Sequence, residues 1–140
     1  MSLGVTWTPE GTGLMYSRAK VLMDARAAGI QYPMEAVFMD FRNLDAFRVE
    51  CEIARTLGYV GKVAIHPMQI PVIHEVFTPS DEDVAHQRHI LDEFEKALAA
   101  GSASIAVDGK MVDYAVARVA RAVLARAAVA DRAKARSTQH

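Results

Sequence analysis

The run "GKVAIHPMQI" at residues 61–70 sets a histidine directly after an apolar stretch and a proline directly after the histidine. Pro67 has no N–H to give to a sheet ladder, so a strand over residues 62–65 must stop at His66. In parallel α/β folds, ligands gather at the carboxyl ends of strands. Asp40 stands at the equivalent end of the preceding apolar run, "EAVFMDF" at 35–41, and Arg42 follows two residues on. Two neighbouring strands thus present Asp40, Arg42 and His66 at one rim, which is the layout of a binding site. The same residues can instead cap helices and satisfy loop backbone, and spacing alone leaves both readings open.

Other chemistry-bearing residues are less pointed. His86 and His89 are three apart, with Glu82 four before the first and Glu93 four after the second. On a helix these share one face and resemble a metal-binding set. The opposite face already accounts for packing, so this one reads as solvated. Asp108 reads as a turn residue. Asp113 opens the last helix, either as its N-cap or as a carboxylate aimed at a substrate. Arg118, Arg121, Arg126, Arg132 and Arg136 give that helix a basic side, able to touch phosphate or a partner subunit and by default a solvated face. The sequence has no Gly-rich phosphate loop, CxxC pair, HExxH or GxSxG.

These residues need elements to hold them. Thr8-Pro9-Glu10 predicts a helix start, and a helical pattern runs to Ala28 with Leu14, Val21, Leu22 and Ala25 on one side and Gly29 as the stop. Residues 35–41 predict a buried strand. Asn43 caps a helix whose buried stripe is Leu44, Phe47, Cys51, Ala54 and Leu57, ended by Gly58. Residues 62–65 predict a second buried strand. Strand, helix, strand over about thirty residues is the βαβ pattern of a parallel sheet covered on both faces. A short helix to Phe77 follows Pro67. Ser80 and Asp83 form a capping-box pattern before a helix with Val84, Leu91, Phe94 and Leu98 on one face. Residues 104–112 predict a hairpin turning at Asp108-Gly109. A final Ala/Arg-rich helix runs from Asp113 to about Lys134, with Val116, Val119, Val123 and Leu124 inward. Two core strands are too few for a whole sheet or barrel, a barrel taking about 250 residues, so the chain reads as part of a larger layout.

Bulk properties bound the function. The 140 residues are 51% hydrophobic and 24% charged, with a formal net charge of −1. That balance argues against nucleic acid as the main partner. No apolar run approaches the roughly 20 residues of a membrane span, and Met1 to Pro9 lack the basic and apolar regions of a signal peptide. A lone cysteine, Cys51, forms no internal disulfide and suggests a reducing, cytoplasmic compartment.

Taken in order, "TPEGTGLMYSRAKVLMDARAAGI", "FMDFRNLDAFRVECEIARTLGYVGKVAIHPMQI", "EVFTPSDEDVAHQRHIL" and "DGKMVD" resemble the C-terminal half of citrate lyase beta-subunit-like proteins. That family, within the HpcH/HpaI aldolase superfamily, includes malyl-CoA and citramalyl-CoA lyases. The resemblance runs from about Gly4 to Arg126.

The resemblance implies an α/β fold: the C-terminal β/α units of a (β/α)8 TIM barrel (residues 4–77) plus a C-terminal helical lid (residues 78–136), a partial barrel. It implies a carbon–carbon lyase acting on a 3-hydroxy-acyl-CoA, with Mg2+ holding the oxo-acid end of the substrate. The coenzyme A arm would pass Asp40, His66, Pro67, Met68 and Gln69, the last four shaping its channel. "GKMVD" resembles a lid that closes over a neighbouring subunit's site, and Asp113 matches the lid aspartate that acts as acid or base. The stretch after it, "YAVARVAR", is closer to the malyl-CoA lyase branch. The family's metal-binding Glu and Asp and its substrate-gripping Arg lie on earlier strands and have no counterpart here, so the metal ligands are expected outside this chain, which alone should be inactive. Three readings stay open: a fragment of such a lyase, half of a split enzyme completed by another chain, or a non-catalytic interaction module. In each, unpaired sheet edges predict a homo-oligomer, with exchange of C-terminal helices as one route.

Overall fold

The computed structural model describes residues 4–6, 8 and 10–137. The chain divides into two compact units, Met1–Phe77 and Thr78–His140.

In the first unit the opening helix starts later than Thr8-Pro9-Glu10 predicts. Gly11 donates its N–H to the Thr8 carbonyl at 2.9 Å and takes a φ of 61°. That left-handed backbone cannot sit inside a right-handed helix. A 3-10 turn over Thr12–Leu14 follows, then α1 over Met15–Ala27; Pro9 lies outside the described residues. The predicted apolar side of α1 also differs. Leu22 is buried, but Val21 is 59% exposed and the buried partner of Leu22 on this helix is Arg18.

Residues 35–41 and 62–65 run parallel, as the βαβ pattern predicts, yet they meet in one bridge, between Glu35 and Lys62. Glu35 donates its N–H to the Gly61 carbonyl at 2.9 Å, and its own carbonyl accepts from Val63 N–H at 3.0 Å. The expectation that both segments are buried strands is corrected: Val37, Met39, Val63 and Ile65 are exposed, Met39 by 76%. Their apolar pattern suits a parallel sheet covered on both faces, and only one face is covered here.

That covered face meets α2, Leu44–Leu57, and α3, Ile70–Phe77. Asn43 caps α2 by accepting Ala46 N–H at 3.1 Å, and Gly58 ends it with a φ of 108°. Phe38, Phe47, Cys51, Val72 and Val76 form the core of the unit. The Phe38 and Phe47 rings meet with centroids 5.5 Å apart. Burying such side chains contributes about 1.5–3 kcal/mol each.

The second unit follows its pattern in outline, except that Leu98, expected on the buried face of its first helix, is exposed. Ser80 and Asp83 close a reciprocal capping box on α4, Asp81–Ala99. Ile90, Leu91 and Phe94 of α4 pack on Val107 and Val112 of the hairpin. That hairpin is β1, Ile105–Val107, and β2, Lys110–Val112, paired Ile105 to Val112. Asp108 and Gly109 turn it with φ of 49° and 75°, the two positive angles of a type I′ turn. The last helix, α5, spans Tyr114–Ser137. Ala117, Ala120 and Ala127 are buried on it, Val116 and Leu124 pack against the same core as expected, and the expected inward Val119 is exposed. Among the described residues no helix is long and apolar enough to cross a membrane.

Candidate functional site

The rim of the first unit is built by the ends of the two parallel segments. The Phe41 and His66 rings stack with centroids 4.5 Å apart and planes 19° from parallel. The Arg42 guanidinium lies 5.2 Å from the Phe41 ring centroid, a cation–π contact. Arg42 and His66 are thus joined through Phe41, and Asp40, the residue before Phe41, lines a cavity together with Val37 and Met39. His66 takes extended backbone and caps the 3-10 turn Pro67–Gln69, its Nδ1 accepting Met68 N–H at 3.2 Å. An accepting Nδ1 carries no proton, which leaves the proton on Nε2.

Gln69 is fully buried. Its Oε1 accepts from Ile65 N–H at 2.8 Å and His66 N–H at 3.3 Å, and its Nε2 donates to the Phe38 carbonyl at 3.1 Å. This side chain is spent on backbone and holds the two segment ends together. Met68 and Pro67 are exposed at the rim.

Below the rim lie four buried charges that belong to no sequence motif. Arg18 of α1 pairs with Glu35 through Nε at 3.2 Å and with Glu50 of α2 through Nη2. Lys62 pairs with Glu35 directly and with Glu50 at 3.4 Å. All four side chains are at most 8% exposed. Burial, then the neighbouring Arg18 charge, push the Lys62 amine down from its ordinary range; its two carboxylate neighbours oppose that by favouring the ammonium form. Tyr59 donates its hydroxyl to the Arg18 carbonyl at 2.9 Å. Sequence spacing did carry a signal. Glu50 falls between Phe47 and Cys51 on the buried stripe of α2, and Glu35 and Lys62 are single charges at the heads of apolar runs. Arg18, Glu35 and Glu50 help line a cavity of about 610 Å³ whose other walls are mostly apolar, Val37 and Met39 among them.

In the second unit the Asp113 carboxylate accepts from Ala115 N–H at 2.9 Å and Val116 N–H at 3.0 Å, capping α5. His89 approaches Asp108 at 3.9 Å. Among the described residues no group of three or more His, Cys, Asp or Glu is placed to hold a metal ion. Glu35 and Glu50, the buried carboxylates, already face Arg18 and Lys62, so these residues do not fit a magnesium site.

Residues 1–67 match the HpcH/HpaI aldolase/citrate lyase family. The chain is 38% identical over 120 residues to citrate lyase subunit beta of Escherichia coli, covering 86% of this chain and 39% of that protein. It is 40% identical over 115 residues to the L-malyl-CoA/beta-methylmalyl-CoA lyase of Rhodobacter capsulatus, covering 82% of this chain and 36% of the relative. Among solved structures it is similar to CitE of Mycobacterium tuberculosis in complex with magnesium, acetoacetate and coenzyme A: TM-score 0.67, 31% identity, 81% of this chain and 40% of that one. The chain thus spans about two fifths of the length of these relatives. With its N-terminal unit matching the family and 86% of its length aligned to citrate lyase subunit beta, the chain belongs to the HpcH/HpaI aldolase/citrate lyase family.

Proposed function

We propose that this chain supplies the closing β/α units and the lid of a barrel lyase that makes or breaks a carbon–carbon bond in a 3-hydroxy-acyl-CoA. The observation that carries the reading is the Phe41–His66 stack, which joins the ends of two parallel segments at one rim. A rim of that kind is where barrel enzymes bind substrate. Asp40, His66, Pro67 and Met68 border the path of the coenzyme A arm, and Gln69 keeps that border in place from beneath. Asp113 moves a proton at the carbon next to the thioester, in the site of a neighbouring copy. Magnesium and the residues that hold it come from outside this chain, so the chain alone is inactive. The working location is the cytoplasm, in keeping with a single buried thiol, Cys51.

A second reading rests on the exposed apolar residues of the two segments, Val37, Met39, Val63 and Ile65. Uncovered surface of this kind marks an interface. It favours completion by another polypeptide, as in a split enzyme, or self-association with exchange of C-terminal helices. A non-catalytic interaction module is the remaining alternative.

Isothermal titration of the full chain with acetyl-CoA tests the first reading. Saturable heat supports a coenzyme A rim, and no heat at millimolar ligand favours the interaction module. Sedimentation at micromolar concentration tests the second: oligomers are expected, and a clean monomer counts against it. Co-purification of a second chain bearing acidic metal ligands selects the split enzyme.

A further inference from the structure

We infer that the buried charge square Arg18–Glu35–Lys62–Glu50 is a register lock, which selects one alignment of residues 35–41 against 62–65 and so decides where the rim residues end up. Four segments each supply one member: α1, the first rim segment, α2 and the second rim segment. Signs alternate around the square. Each carboxylate touches both cations and each cation touches both carboxylates, so charge is balanced only when all four are in place.

The backbone between the two segments is a weak guide to register. It forms one bridge, the flanking side chains at 36–39 and 63–65 are interchangeable apolar ones, and the Gln69 tie between the segment ends is made to backbone groups, which every residue of a slipped alignment also offers. Within residues 33–39 the only charge is Glu35, and within 59–65 the only charge is Lys62. A slip of one residue turns a side chain to the opposite face. It would carry Lys62 out of the square and bring Gly61 or Val63 in, leaving two buried carboxylates against one guanidinium. A slip of two keeps the face but brings in Ala64 or Val60. Either slip strands charge away from water, which buried proteins resist strongly. The aligned state places Asp40 five residues past Glu35 and His66 four past Lys62, where Phe41 meets His66. Each residue of slip displaces one end from the other by about 3.3 Å. Arg18 and Glu50 are thereby positioning residues for a rim they do not touch. Their relevance to coenzyme A rests on the proposed function; the lock itself does not.

Two measurements on the full chain decide the matter without any ligand. The first replaces all four charges with methionine (R18M, E35M, E50M, K62M) and compares two-dimensional amide spectra with the parent. The expected result is a folded chain whose amides over 36–41 and 63–66 split or broaden as several alignments compete. One sharp set, with the parent's Glu35-to-Lys62 backbone contacts retained at those positions, overturns the lock. The second keeps the fold safe with the milder Glu50→Gln and follows native-state hydrogen exchange. Exchange at the Glu35 and Val63 amides, which make the bridge, should rise at least tenfold while Cys51 and Ala54 in α2 keep their rates. Equal acceleration at all four amides would mean global destabilisation only, and overturns it whether or not the methionine variant folds.

Discussion

The Gln69 side chain spans the ends of two segments that are far apart in sequence, donating to the Phe38 carbonyl at 3.1 Å from a fully buried position. Its amide oxygen meanwhile takes the Ile65 and His66 N–H groups. Leucine fills similar space and makes none of these bonds. Gln69→Leu leaves two donors and an acceptor without this partner, each buried one costing about 1–3 kcal/mol. The expected outcome is a thermal midpoint lower by roughly 10 °C or more, read by circular dichroism.

Gly11 meets a steric demand and a conformational one together. Its φ of 61° is left-handed, and a methyl added there would lie 2.6 Å from Arg18 Nη1. Gly11→Ala therefore costs the left-handed penalty of about 1–2 kcal/mol and shifts the guanidinium that anchors the charge square. Denaturant titration should show a lowered midpoint, and the shift should be smaller when Arg18 is already methionine.

Asp113 offers a separation of roles. As a cap it accepts two backbone N–H groups, a task asparagine performs nearly as well, whereas alanine loses about 1 kcal/mol. Asparagine cannot take up or release a proton as a carboxylate does. Under the proposed function, in a preparation where another polypeptide supplies the metal-binding part of the barrel, Asp113→Asn should keep the parent's thermal midpoint and lose a hundredfold or more in turnover. Unchanged turnover would remove Asp113 from the proposed chemistry.

Cys51 is buried in the core, and burial pushes its thiol up to about 12 from 9.0. The folded state thus holds its proton more tightly than the unfolded state. The associated stability is fully present below pH 9 and is lost as pH rises from 9 towards 12, by up to about 1.4 kcal/mol per pH unit. Denaturant midpoints compared with Cys51→Ala should diverge in that window and run parallel below it. At pH 8 the native thiol should also resist iodoacetamide until denaturant is added.

Local chemistry was legible in the amino-acid order. Asn43, Ser80 with Asp83, Gly58 and Asp108-Gly109 name caps, stops and a turn because each acts within a few residues of itself, and they do so in the structure. The stripe Phe47, Cys51 and Ala54 was readable for the same reason, since helical periodicity alone decides its face. The strand expectation went further than the structure does: an apolar run says that a segment suits a covered sheet, while the covering depends on neighbours that no local pattern contains.

The sequence by itself determined the family, the helices, the hairpin and the end of the second rim segment at His66-Pro67. Only the tertiary structure decided that Arg18, Glu35, Glu50 and Lys62 meet, that Gln69 faces inward onto backbone, and that Phe41 lies on His66. The reason is range. Caps, turns and stripes are set by interactions across a few residues, but a buried charge survives only through partners brought from elsewhere in the chain. Those partners become visible only once the chain has folded.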